Sequence, residues 1–193
     1  QVREVPASDR RRAGPRRETR MTARNATPRR ATKQGKTMTG KTPRESEAIL
    51  ADLMMPNQAN GLRTPSIFGG VVMSMVDKCA ALSAMKHSGG QATTLSVERI
   101  LFKEPIKVGE LVEIRSHVVH VGRTSMSVVA DVYAEDLRTG NRRHTNACWL
   151  TFVHLGDDGK PAPVPPLILE TDVDRHLHGI AAKRREQQLT DRS

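Results

Sequence analysis

The run IFGGVVMSMVDKCAALSAMKH, from Ile67 to His87, carries a single carboxylate, Asp77, in a small and apolar stretch that opens with Gly69-Gly70. At 100° per residue, Asp77 shares a helix face with Gly70, Met73, Ala80, Ala81 and Ala84, while Lys78 points about 100° away and Lys86 lies opposite. A carboxylate placed among alanines is partly desolvated and so a better base when ionised. The alternative is structural: it caps a loop or pairs with an arginine from a strand. Two glycines at a helix entrance leave the first-turn amides uncovered, an arrangement that polarises a carbonyl or binds an anion. The same glycines would also permit close packing of the helix start on a sheet. Seven residues separate Gly70 from Asp77, roughly 10 Å along a helix. An oxyanion donor and a base must both come within about 3 Å of one reacting group. If both act, the site is shared between two copies of the chain.

The elements around this helix follow from periodicity. The helix is expected over Gly69–Lys86, closed by the HSGG stop. EAILADLMM before it reads as a first strand or a short helix, followed by the turn-forming loop PNQANGLRTPS. After it the period changes from about 3.6 to 2. ATTLSVERILF, LVEIRSHVVHV, TSMSVVADVYAED and RRHTNACWLTFVHL form four long runs rich in Val, Thr and Ile, and the GR and LRTGN connectors suit hairpins. One helix followed by a meander of antiparallel strands predicts an α+β domain, the helix covering one face of a curved sheet. Sheet edges left open by this arrangement are commonly closed by dimerisation. GDDGKPAPVPPLILE reads as a Pro-rich strap, and Thr171 with Asp174 as the capping box of a last helix through about Leu189.

The formal charge of +10 is unevenly distributed: residues 1–44 hold 14 Lys/Arg against 3 Asp/Glu, and the remainder 17 against 18. The high pI therefore describes a basic tail over 1–44, which has too few large apolar residues to offset its ordering entropy and is expected to be disordered. Gln1 opens the chain, and Met21 and Met38 both stand as alternative starts. No secretory h-region and no run near the roughly 20 apolar residues of a membrane span is present. Nucleic acid is not the expected partner. Cys79 and Cys148 sit in apolar surroundings without a CxxC, and read as buried reduced thiols. The organisation expected is therefore 1–44 tail, 45–155 folded domain, and 156–193 strap and terminal helix.

NGLRTPSIFGGVVMSMVDKCAALSAMKH, TLSVERILFKEPIKVGELVEI, VGRTSMSVVADVYAED, ACWLTFVHLGDDGKPAPVPPL and ETDVDRHLHGIAAKRREQQL resemble, in that order, the hotdog-fold acyl-CoA thioesterases of the cytosolic, brain-type acyl-CoA hydrolase group. The resemblance covers about Glu45 to Leu189. It implies a long central helix wrapped by a curved antiparallel sheet, a double-hotdog homodimer, often a trimer of such dimers, and a cytoplasmic setting. It implies hydrolysis of acyl-CoA to free acid and CoA with no metal and no cofactor. The family's catalytic carboxylate matches Asp77, and its helix-entrance glycines match Gly69 and Gly70. Three positions before Gly69 stands Ser66, where relatives commonly carry Asn or Asp; a serine can donate a hydrogen bond but cannot serve as a second acid.

A thioester carbonyl is electrophilic and its thiolate leaves readily, so its hydrolysis needs a base or nucleophile and a stabiliser of the oxyanion. Asp77 is the candidate for activating water, or for attacking directly to give a mixed anhydride. The partner's Gly69 and Gly70 amides are the candidate oxyanion donors. Arg123, Thr124 and Ser125, at the strand-to-strand turn of VGRTSM, suit phosphate and pantetheine contacts, or form an ordinary hairpin; Arg99 and Lys103 are weaker candidates of the same kind. Trp149, Leu150 and Phe152 read as core or the wall of an acyl tunnel, as do Met73 and Met75. His117, His120 and His144 have no apparent catalytic partner. Two rivals are a hotdog hydratase, poorly matched because the next His is ten residues past Asp77, and a non-hydrolytic acyl-CoA sensor with a basic N-terminus.

Overall fold

The computed structural model describes residues 38–61, 65–98, 100 and 102–190, save the side chains of 188 and 189. Most of the expected basic tail, residues 1–37, and the candidate Arg99 lie outside the described residues. Strand β1 (Ala48–Leu53) precedes helix α1 (Gly69–Ser88), then come β2 (Gln91–Val97), β3 (Glu110–Val121), β4 (Ser125–Asp136), β5 (Asn141–Leu155) and helix α2 (Asp172–Thr190). The five strands form one antiparallel sheet in the order β1-β3-β4-β5-β2.

Helix α1 starts at Gly69 as expected and runs two residues past Lys86, to a left-handed Gly89 (φ 72°) whose amide donates to Met85 O at 2.8 Å. Glycine is suited to this stop because a left-handed backbone crowds any Cβ. The β3-β4-β5 meander and its two tight turns match the period-2 runs. ATTLSVERILF departs from expectation in two ways: its strand ends at Val97, and it lies at the far edge against β5 rather than beside β3. The cause is α1, which crosses the sheet and touches all five strands, so a chain entering from the β1 edge emerges at the opposite edge.

The inner sheet face and α1 enclose the core. Val72, Met75, Val76, Cys79, Ala80 and Ala84 pack on Val112, Ile114, Val118, Met126, Val128, Leu150 and Phe152, all buried. Each large aliphatic side chain so buried contributes about 1.5–3 kcal/mol. A buried polar link fixes how α1 is rotated on the sheet: Ser116 Oγ donates to Cys79 O (2.9 Å), and Ser83 Oγ donates to Ser116 O (2.9 Å). Unmade, these groups would each cost about 1–3 kcal/mol, which disfavours other rotations of the helix. On the opposite sheet face, α2 packs Leu177 and Ala181 over Val119, Val129 and Trp149. Trp149 thus faces away from Leu150 and Phe152, as strand alternation requires.

The capping box forms: Asp174 N donates to Thr171 Oγ1 (3.1 Å), and Thr171 N to Asp174 Oδ2 (2.9 Å). The boundary expected at Glu45 falls a few residues late. Lys41 N donates to Pro166 O and Ile168 N to Lys41 O, both at 2.9 Å, so the strap pairs with residues assigned to the tail. Among the described residues, no helix is long and apolar enough to cross a membrane.

Candidate active site

Asp77 sits at the margin of α1, half-buried, where the helix overhangs the sheet edge formed by β2. Of its face neighbours, Ala80 and Ala84 point into the core, while Met73 is 43% exposed. Among the described residues Asp77 makes no ion pair; its partner is Thr94, whose Oγ1 donates to Oδ1 at 2.8 Å. Thr94 stands where the β2–β5 register shifts between Thr94 and Ser96. Bulges of this kind re-aim a side chain, and here the hydroxyl turns toward α1. One carboxylate oxygen is thus fixed by a donor, which leaves Oδ2 for other chemistry. Thr94 had no signal in the sequence beyond a β-branched residue in a strand, because only the register brings it to Asp77.

At the N-terminal end of α1, Phe68 occupies the N-cap position and supplies no side-chain cap. Neither Gly69 N nor Gly70 N donates to another group of the described residues. The glycines are covered by rings, not by the sheet. A Cβ on Gly69 would lie 3.3 Å from the Phe102 ring, and one on Gly70 2.6 Å from the Phe68 ring. Both rings are largely exposed, Phe68 at 62% and Phe102 at 48%.

Beside this entrance opens a cavity of about 370 Å³, walled by Ile67, Val72, Ile106 and Phe102, with Asn60, Ser66 and Glu104 as polar groups. Ser66 Oγ accepts a hydrogen bond from Asn60 Nδ2 at 3.1 Å, and the Asn60 amide donates to Ser66 O at 3.0 Å. In the sequence Asn60 stands out only as a turn former in QANG; the folded loop brings it to the helix entrance. The far wall is pinned by Arg143, which pairs with Glu110 (2.8 Å) and Glu104 (2.9 Å) and donates to Pro105 O (3.2 Å).

The VGRTSM turn joins β3 to β4. Val164 N donates to Arg123 O (3.1 Å) and His154 N to Thr124 O (2.9 Å), so the strap and β5 occupy the turn's carbonyls. The Arg123 side chain is exposed, Thr124 is half-buried, and Ser125 is buried. Lys103 is exposed on the loop after β2. Cys79 and Cys148 are buried and free; burial raises the Cys79 thiol, and burial followed by the Asp131 charge pushes Cys148 up to about 11. Met75 and Phe152 belong to the core. His144 Nε2 lies 2.8 Å from Asp131 Oδ1, away from α1.

The Thioesterase superfamily model matches residues 65–141. The uncharacterized acyl-CoA thioester hydrolase YkhA of Bacillus subtilis is 36% identical over 73% of this chain and 81% of its own length. The chain belongs to this acyl-CoA thioester hydrolase family. Its hotdog architecture is shared with solved structures. An apo-hexameric acyl-CoA thioesterase superposes with a TM-score of 0.76 at 35% identity, over 81% of this chain and 99% of that one. The Staphylococcus aureus acyl-CoA hydrolase in complex with butyryl-CoA, CoA and CoA disulfide gives 0.72 at 33%, over 79% and 92%. That enzyme has also been solved as alanine variants at an asparagine, an aspartate and a threonine.

Proposed function

We propose that the protein hydrolyses acyl-CoA to a free acid and CoA, in the cytoplasm, at sites shared between two copies of the chain. Asp77 takes a proton from water, the hydroxide attacks the thioester carbonyl, and the tetrahedral intermediate collapses to the acid as the CoA thiolate leaves with the proton held on Asp77. Direct attack by Asp77 to a mixed anhydride, then hydrolysed, is the second route open to the same carboxylate. The partner copy's Gly69 and Gly70 amides receive the developing oxyanion, an effect worth about 3 to 4 kcal/mol in other enzymes. Thr94 holds the carboxylate in one rotamer. Arg123 and Thr124 meet the CoA moiety, with Ser125 behind them.

The observation that carries this reading is the Asp77–Thr94 pair on an open sheet edge. The pair is separated by 17 residues, the same spacing as the aspartate and threonine substituted in the S. aureus enzyme. Beside it β2 offers a ladder that is unpaired among the described residues, with Leu95 and Val97 exposed at 46% and 43%. A second copy adding its own β2 would cover both and bring its helix entrance to Asp77. Hexameric relatives are consistent with such dimers assembling further.

Subunit mixing tests the shared site. Asp77→Asn removes the base; Gly70→Pro removes one first-turn N–H, its ring displacing the exposed Phe68 side chain. Each variant alone is expected to be inactive, and mixed dimers should regain activity because one of their two sites is intact. Mixtures as inactive as the parents, with exchange verified by mass, would contradict the shared site. An acyl-CoA sensor would instead bind the ester and never turn it over.

A further inference from the structure

At the end of the sheet where β3 turns into β4, α2 closes over the outer face, and hydrogen-bond donors gather with no carboxylate paired to them among the described residues. A Cβ on Gly122 would lie 2.9 Å from Ser125 Oγ and 3.6 Å from both Nε and Nη2 of Arg185. The guanidinium of α2 and the hydroxyl of β4 thus close on the same bare face of the turn. His120, after the β3 bulge, places its ring 4.9 Å from that of His178 on α2, and its Nδ1 is buried without a partner. Burial, then His178 and Arg185, hold His120 below the usual imidazole range. One residue before Arg185, Arg184 is fully used: it pairs with Glu98 and lies over the Trp149 ring. Arg185 and the exposed Arg123 have no anionic partner among the described residues.

The Arg185 guanidinium and Ser125 hydroxyl beside a glycine turn, the adjoining His120–His178 pair and the exposed Arg123 of the same turn, with no carboxylate paired to them among the described residues, form a donor set that matches a tetrahedral polyanion. Guanidinium forks and hydroxyls bind phosphate oxygens by charge-assisted hydrogen bonds. We propose that Arg185, with His178, His120, Arg123 and Ser125, recognises the phosphate groups of the CoA moiety, so that α2 serves substrate binding as well as packing. This rests on the thioesterase reading above. The turn lies in the sheet row next to Thr94, which is in register with Phe152, Met126 and Val121, three strands away. At about 4.8 Å per strand this is roughly 15 Å along the sheet, and because α2 lies on the face opposite α1, an extended pantetheine arm reaches the cluster by passing around the turn.

The test compares butyryl-CoA with butyryl-pantetheine, which carries the same thioester and no nucleotide phosphates, using the full chain. Arg185→Gln should raise KM for butyryl-CoA about tenfold or more, leave kcat in place, and leave butyryl-pantetheine unchanged. Arg185→Lys should recover part of that loss. Gly122→Ala, which pushes against Ser125 Oγ and crowds Arg185 without removing a charge, should act in the same direction. Arg175→Gln, whose side chain pairs with Asp172 in the first turn of α2, should change neither ester. Equal KM changes for both esters, or none for either, would overturn the inference while leaving the thioesterase reading in place. Phosphate-induced shifts of histidine NMR signals, lost in Arg185→Gln while KM for butyryl-CoA stays fixed, would assign the cluster to a free anion and likewise overturn it. Wild-type protein that hydrolyses neither ester would instead bring down the thioesterase reading itself.

Discussion

Arg143→Met should destabilise the fold by an amount set at one buried carboxylate. Glu110 is 5% exposed and accepts from three donors: Arg143 Nη1 at 2.8 Å, Arg143 Nη2 at 3.0 Å, and the Lys107 amide at 2.9 Å. Methionine fills the stem of the arginine but leaves Glu110 with the amide alone. Breaking a buried pair from one side costs about 3–5 kcal/mol, because the remaining charge stays desolvated. The retained amide puts the cost near the low end, about 3 kcal/mol. Half-exposed Glu104 adds little. At roughly 2–4 °C per kcal/mol for a chain of this size, thermal unfolding should move down by about 6–12 °C.

Removing the stranded charge as well, in the Arg143→Met/Glu110→Gln double variant, should cost less than the sum of the single changes. The pH dependence has a defined sign. Hydrogen bonds from Arg143 hold the Glu110 carboxyl below its usual value of 4.5. Its contribution is therefore present above that value and is lost as pH falls through the lowered native one. The Arg143→Met variant should accordingly lose less stability on acidification than wild type. The assays are calorimetry and urea unfolding at pH 7 and pH 4. A single-variant loss under about 1 kcal/mol, or a double variant that costs the full sum, would refute the reasoning.

Thr94→Val should lower kcat by about tenfold, the low end for a hydrogen bond to a charged group at a half-buried site, and Thr94→Ser should keep most activity. Equal kcat for the valine and wild-type enzymes would show that the hydroxyl does not orient Asp77. Stability should also fall between pH 7 and 5, before the carboxylates titrate. Burial holds His87 and His117 below 6.5, so both contribute stability that is present above that value and lost as pH falls through their lowered native values. His87→Gln should flatten the decline; an unchanged melting temperature across this window would contradict it.

Much of this architecture is legible in the chain. The α1 boundaries follow from paired glycines at both ends and a 3.6 period, and β3 to β5 from Val-rich alternation between short turns. The position of β2 is not legible, because it depends on where α1 delivers the chain after crossing the sheet. The same long-range geometry hides the Asp77–Thr94 contact. A helical wheel gives the residues that share a face with Asp77, but it does not say where the sheet ends beneath them. Hence Asp77 meets a threonine at an open edge instead of sitting among alanines. The Arg123–Ser125 turn stands out by its residue types, yet Arg185 and His178 reach it only through the packing of α2. Asn60 hides behind its ordinary role as a turn former.

The most direct measurement is free-thiol release from acyl-CoAs of rising chain length, wild type against Asp77→Asn, with oligomeric state followed in parallel. The account predicts turnover by wild type on at least one chain length and a loss of at least a hundredfold in kcat for the variant, its assembly intact. Wild-type turnover retained by Asp77→Asn, or ester binding without turnover by wild type, would contradict it.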